Sequence, residues 1–191
     1  MGRVNANASE DLRGLVERAM SADPDAWEEI YRRSHPRLLA YARRRTSSSV
    51  AAEEAVGETM VRALEGIDSF RWQGAGFDAW LFAILRHVVL ESYRIDARRE
   101  RDLHAPINRP VECDGPLDTI LHRDEAARVR QAFEQLTAEE QELLELRVVV
   151  GLSAEGVAEV LGKRAGAVRM AQHRATARLR ALFDEGTDVS R

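Results

Sequence analysis

The sequence predicts an all-α fold made of two small helical domains, an N-terminal helical bundle and a C-terminal helix-turn-helix, joined by a flexible linker. Three observations carry that expectation. Ala, Leu, Arg and Glu dominate, and apolar residues recur at three- and four-residue spacings with almost no strand-like alternation. Aromatic residues make up only 6% of the chain, while 45% is hydrophobic, enough to give cores to one ordinary domain or two small ones in 191 residues. Between residues 98 and 116 the helical pattern dissolves into a stretch holding three of the five prolines.

In chain order, residues 1–22 read as an N-terminal extension. Positions 1–8 look disordered, and Ser9 to Met20 forms either a short amphipathic helix, with Leu12, Leu15, Val16 and Ala19 on one side, or a flexible lead-in. The first domain, 23–97, opens on Asp23-Pro24, an N-cap residue followed by proline at the first helical position. That helix carries Trp27, Ile30, Tyr31, Leu38, Leu39 and Tyr41, with a kink expected near His35 because Pro36 lies inside it. His35 is read as a helix residue at that kink. After the polar break at 46–49, a second helix runs from Val50 to about Leu64, with Val56, Met60, Val61 and Leu64 inward and Glu53, Glu54 and Glu58 outward. Gly66 ends it. A loop rich in glycine and aromatics follows, then a long helix with Trp80, Leu81, Ile84, Leu85, Val88 and Val89 as its buried stripe. Arg86, His87, Arg94, Arg98 and Arg99 offer donors along another side.

The second domain, 117–184, begins with a helix carrying Ile120, Leu121, Ala126, Val129 and Phe133. Its organising stretch is Leu136 to Leu182. Thr137 and Glu140 form a capping box, and Leu143, Leu144, Leu146 and Val148 lead to Gly151. Ser153 caps a short helix with Val157, Ala158, Val160 and Leu161, Gly162 stops it, and a third helix follows from about Gly166, with Val168, Ala175 and Leu179 inward. A short helix, a turn with glycine and a longer basic helix make a helix-turn-helix pattern. Residues 185–191 are a tail.

Charge is distributed unevenly. Lys and Arg number 28 against 32 Asp and Glu, a net charge of -4, yet Lys163 through Arg180 holds six cations and no acid. A basic face on an acidic chain is a local docking surface for nucleic acid. The single cysteine, Cys113, excludes an internal disulfide, and the scattered histidines offer no metal-ligand spacing and no catalytic constellation, so neither an enzyme nor a cofactor is expected. No apolar run approaches the ~20 residues that span a bilayer, and MGRVNANASEDL carries no signal-peptide core, so a cytoplasmic location is expected.

AAEEAVGETMVRAL, FRWQGAGFDAWLFAILRHVVLESYR, the linker, and LTAEEQELLELRVVVGLSAEGVAEVLGKRAGAVRMAQHRATARLR, in that order, resemble the extracytoplasmic-function (group IV) sigma factors of bacterial RNA polymerase over about residues 23–183. The resemblance implies a first domain that docks on the clamp helices of the largest polymerase subunit and captures the melted minus-ten element. It implies a second domain that reads the duplex minus-thirty-five element and packs on the flap of the second-largest subunit. An anti-sigma factor is a further implied partner.

Carried onto this chain, Glu53, Glu54 and Glu58 match the clamp-binding segment, with Gly57 where the family usually has glutamine. Trp72, Gln73 and Gly74 match the promoter-melting loop, where aromatic stacking and close approach would hold a flipped base. Arg86, His87 and Arg94 stand where Arg, Asn and Arg are usual, whereas Trp80 reads as core. In the last helix the usual Thr-Val-Arg/Lys-Ser-Arg run appears as Ala167-Val168-Arg169-Met170-Ala171. Arg169 is the first choice for a base-edge or phosphate contact, supported by Lys163, Arg164, Gln172, His173 and Arg174. The competing reading is a stand-alone helix-turn-helix regulator, which would bind duplex operators as a dimer.

Overall fold

The computed structural model describes residues 2–72, 74–103 and 120–188, with side chains described over 11–72, 74–95 and 126–185. The chain divides into two compact units, Met1–Cys113 and Asp114–Arg191. All regular structure among the described residues is helical.

The first unit contains α1 (Gly2–Met20), α2 (Pro24–Arg43), α3 (Ser49–Gly66), a 3-10 turn (Ile67–Ser69) and α4 (Gly76–Leu103). The expected disorder at 1–8 is not found from Gly2 onward: α1 is continuous, and Leu15, Val16 and Ala19 are buried where it packs on α2. The joint between α1 and α2 puts Ala22 in the left-handed region at φ 61°. Asp23 then caps α2 by accepting from the amides of Asp25 and Ala26. Pro36 lies within α2 without ending it. Because Pro36 is exposed, water can serve the carbonyl that its missing N–H leaves unpaired.

The inward face of α3 differs from expectation. Ala52, Ala55, Val56, Thr59 and Ala63 are buried, whereas Val61 and Leu64 are each 51% exposed and Met60 is half-buried. Small side chains at helical spacing let α3 lie close to α2 and α4, and the larger apolar residues fall on another face. The buried stripe of α4 holds Leu81, Leu85, Val88 and Val89, with Trp80 and Ile84 half-buried and Phe77 and Phe82 added to the core. The helix continues to Leu103, past the position where the sequence pattern fades, and the Arg and Glu at 98–101 have favourable intrinsic helix propensity. The side chains of Arg98 and Arg99, and the linker residues 104–116 with Cys113, lie outside the described residues.

The second unit contains α5 (Ile120–Glu134), α6 (Ala138–Leu144) running into a π turn (Glu145–Val149), α7 (Ala154–Leu161) and α8 (Ala165–Asp188). Helices α5, α6 and α7 all pack on α8, which buries Val168 and Ala175. On α5 the inward residues are Ala132 and, in part, Phe133, whereas Val129 and Ala126 are exposed; Ile120 and Leu121 side chains lie outside the described residues. The π turn overturns the expected inward position of Val148. Its wider winding shifts the side-chain register, so Leu146 and Val150 are buried while Val148 is 69% exposed.

Helix ends are fixed by local chemistry. Thr137 and Glu140 form both halves of the capping box, and the Ser153 hydroxyl accepts from the Gly156 amide at 3.0 Å. Gly162 closes α7 at φ 64° and ψ 33°, where a Cβ would be strained, and the Lys163 amide reaches back to the Ala158 carbonyl at 2.8 Å. The turn between α7 and α8 is thereby held to Gly162, Lys163 and Arg164.

Candidate nucleic-acid and polymerase interfaces

In the first unit, Glu53, Glu54 and Glu58 are exposed on α3. Two of them are already in ion pairs. Glu53 lies 3.3 Å from the His35 Nε2 and 3.6 Å from an Arg43 guanidinium nitrogen, and Glu58 accepts from the Arg62 Nε at 2.7 Å. Arg62 also donates to Glu91 on α4 at 2.7 Å, and His87 sits 3.1 Å from the same carboxyl group. The two carboxylates, Glu58 foremost, hold the Arg62 pKa above its ordinary value, and the Arg62 hydrogen bond pulls Glu91 below the usual carboxylate range. Gly57 is exposed beside these acids, and a Cβ there would meet nothing within 4 Å. Space therefore does not require glycine at this position.

The loop after α3 is anchored by aromatic rings. Phe70 is buried and meets Trp72 at 5.1 Å and Phe77 at 5.2 Å, both edge to face, while Trp80 packs against Phe70 at 5.3 Å and Phe77 at 5.4 Å. Arg71 donates to the carbonyls of Asp68 and Phe70, closing the turn on itself. Trp72 is half-buried, with its Nε1 buried and without a hydrogen-bond partner among the described residues. The Arg13 guanidinium of α1 lies over its ring at 5.6 Å. Gly74 is exposed, and Gln73 lies outside the described residues. Helix α4 leaves this loop with Asp78 held to Arg37 of α2 at 2.8 Å, and carries Arg86, half-buried, and His87 and Arg94, both exposed. His87 and Arg94 are seven residues apart, close to two helical turns, so they share a face. The contact of Arg13 with Trp72 joins positions far apart in the chain, and periodicity carries no information about it.

In the second unit, Lys163, Arg164, Arg169, His173 and Arg174 are exposed and Gln172 is half-buried, on the turn before α8 and its first part. Three cations of this stretch contact carboxylates on the preceding helices. Lys163 Nζ is 2.8 Å from Glu139, Arg178 is 3.5 Å from Glu140, and Arg169 hydrogen-bonds Glu155. The Gln172 side-chain oxygen accepts from the Arg147 Nε at 2.8 Å, and Arg147 also reaches the Leu152 carbonyl, tying the π turn to α8. Lys163 lowers the Glu139 pKa. The Thr137 amide does the same for Glu140, and the backbone amide of Glu155 lowers that residue's own carboxyl, with Arg169 adding to it. The capping-box contact of Glu140 with Thr137 could be placed from the sequence pattern, whereas the pairing of Glu140 with Arg178, of Glu139 with Lys163, of Glu155 with Arg169 and of Arg147 with Gln172 could not.

Among the described residues no group of three or more His, Cys, Asp or Glu side chains could hold a metal, and no helix is long and apolar enough to cross a membrane. What the geometry offers is a pair of surfaces for macromolecules: an acidic helix face beside an aromatic loop, and a cationic helix in a helix-turn-helix.

Comparison with known proteins defines the class. Residues 30–99 match the Sigma-70 region 2 family and residues 126–179 match Sigma-70, region 4. The chain is 34% identical to the ECF RNA polymerase sigma factor ShbA of Streptomyces griseus, over 91% of this chain and 96% of that one. It is 32% identical to the ECF RNA polymerase sigma factor SigD of Mycobacterium tuberculosis, over 90% and 83% of the two chains. Among solved structures, CnrH in complex with the cytosolic domain of CnrY aligns at TM-score 0.63 and 27% identity, covering 91% of this chain and 97% of that one. RpoE of Bartonella quintana, in complex with the anti-sigma factor NepR, aligns at 0.65 and 26%, covering 82% and 96%.

The two matched regions define a sigma-70-type transcription initiation factor. More narrowly, the chain belongs to the extracytoplasmic-function sigma factors, non-catalytic subunits that bind core RNA polymerase and direct promoter recognition and melting. A stand-alone regulator is not favoured, because it leaves the whole region 2 match without a role.

Proposed function

We propose that the two units divide the work of initiation as follows. The exposed acids Glu53, Glu54 and Glu58 on α3 meet the clamp helices of the largest polymerase subunit. Trp72, Gln73 and Gly74 receive a base of the melted minus-ten strand, while Arg86, His87 and Arg94 follow its phosphates and edges. Lys163, Arg164, Arg169, Gln172, His173 and Arg174 face the duplex minus-thirty-five element, and the second unit also touches the flap of the second-largest subunit. The chain acts in the cytoplasm, has no catalytic role of its own, and is held in check by an anti-sigma factor, as CnrH and the Bartonella RpoE are found with their partners.

The observation that carries this reading is the opposite charge of two exposed helix faces, acidic on α3 and cationic on α8. An acidic face favours a basic protein surface and repels phosphate, and a cationic face does the reverse. Loop chemistry supports the rest: edge-to-face packing on Phe70 fixes the base of the loop while Gly74 leaves room for a nucleotide.

Run-off transcription tests the division. The chain alone should bind promoter duplex weakly and should support run-off when mixed with core polymerase. Glu54→Lys should slow association with core about tenfold at low salt, with the difference shrinking as salt rises. Unchanged association at every ionic strength would remove α3 from the polymerase contact.

A further inference from the structure

Glu155 and Arg169 are fourteen positions apart and on different helices of the helix-turn-helix, yet the carboxylate and guanidinium are in direct contact. The two partners differ in reach. Glu155 stands in the first turn of α7, the helix that Ser153 caps, on the shorter side chain of the two. Arg169 is a long side chain, 60% exposed. The shorter side chain, on a helix turn whose start is fixed by its cap, therefore restricts where the guanidinium sits. Arginine has five N–H donors, and the contact with Glu155 engages one of its two terminal nitrogens, leaving the other nitrogens to meet an acceptor pair.

The carboxylate also changes which acceptors suit Arg169. A DNA phosphate brought up to this guanidinium meets the Glu155 charge at close range, whereas the O6 and N7 atoms of guanine carry only partial charge. Repulsion thus falls mainly on the sequence-independent contact, which is one way to gain selectivity without adding an attraction.

We propose that Glu155 is a positioning residue that sets minus-thirty-five selectivity, by holding Arg169 toward base edges and disfavouring its use as a phosphate clamp. The inference rests on the assignment of α8 to the minus-thirty-five duplex. Lys163 and Arg178 are paired with Glu139 and Glu140 in a similar way, but those acids lie on α6, outside the helix-turn-helix pair. Among these acids of the described residues, it is Glu155 that contacts the residue at the retained arginine position of the family run.

The test is a double-mutant cycle in the full chain assembled with core polymerase. The template is a promoter selected by the wild-type holoenzyme, compared with the same promoter carrying a scrambled minus-thirty-five element. Glu155→Gln should reduce the cognate-to-scrambled binding ratio about tenfold, raise binding to the scrambled template, and steepen the slope of log affinity against log salt by about one, the signature of one added phosphate contact. Glu155→Asp, which keeps the charge, should restore most of the ratio. In an Arg169→Ala background, Glu155→Gln should change neither ratio nor slope. Additive effects of the two substitutions, or an equal loss on both templates with an unchanged slope, would overturn the proposal and leave Glu155 a helix-end residue. If Arg169→Ala alone leaves the ratio untouched, the assignment of α8 fails first, and the role of Glu155 falls with it.

Discussion

The two units keep their shape by different means. In the first, Tyr41, Phe70, Phe77 and Phe82 are buried and several of their rings meet edge to face, so a few large side chains tie α2, α4 and the loop together. In the second, the large buried apolar side chains among the described residues are aliphatic, including Leu143, Leu144, Leu146, Val157, Val160 and Val168. Its middle helices are also short, with seven residues in α6 and eight in α7. Helices of that length are unstable alone, so their caps and their packing on α8 decide whether they form. One unit is secured by ring packing and the other by its helix ends, and each arrangement suits its surface. An aromatic base can hold an irregular loop that has few backbone hydrogen bonds of its own, whereas a pair of capped helices sets the angle at which a straight helix is presented.

The sharpest way to break this contrast is to remove one large side chain from each core. Phe82→Ala should destabilise the first unit by about 3–5 kcal/mol, and Leu146→Ala should cost the second about 2–5 kcal/mol. Calorimetry should show one transition lowered in each case with the other in place. A common shift of both transitions would mean that the units unfold together. Next in size, Ser153→Ala should cost the second unit about 1 kcal/mol by orphaning the Gly156 amide, with Ser153→Gly closer to wild type. Urea unfolding followed by circular dichroism checks both. A smaller change of opposite sign is expected at Ala22: relief of its left-handed conformation in Ala22→Gly should stabilise the first unit by about 0.5–1 kcal/mol, offset in part by the freer unfolded chain.

The smallest effect is acid sensitivity. Asp23 and Glu91 in the first unit, and Glu139, Glu140 and Glu155 in the second, have folded pKa values below their ordinary values of 3.8 for aspartate and 4.5 for glutamate. Each contributes stability that is present above the unfolded pKa and lost as pH falls through the folded one. Both units should therefore weaken below about pH 4.5 and hold steady above it. Glu140→Gln, which keeps a side-chain acceptor for the Thr137 amide, should flatten the acid limb of the second unit alone.

The second unit was legible in the sequence nearly residue by residue, because its boundaries depend on neighbours. Thr137 with Glu140, Ser153 with Gly156, and Gly162 all act within one turn of the chain. That unit departed from expectation at Val129, which is exposed on α5, and at Val148, where the cause was a π turn for which a short apolar run gives no sign. The first unit was less legible. On α3 apolar spacing points Val56, Met60, Val61 and Leu64 inward, whereas close approach to α2 and α4 keeps Val56 and otherwise selects the small residues Ala52, Ala55, Thr59 and Ala63. On α1, amphipathic spacing alone left helix and flexible lead-in open, and packing on α2 decided between them. The candidate contact residues were found by residue type and position. Their partners, among them Glu155, Glu139, Arg147 and Arg13, come from contacts between distant positions that no local pattern encodes.

The rings around Phe70 have an optical corollary. All three tryptophans, Trp27, Trp72 and Trp80, belong to the first unit, and Trp72 lies beneath a guanidinium with its indole nitrogen shielded from solvent. Tryptophan fluorescence of the unlabelled protein thus originates entirely in its N-terminal half, and no label is needed to follow the unfolding of that unit.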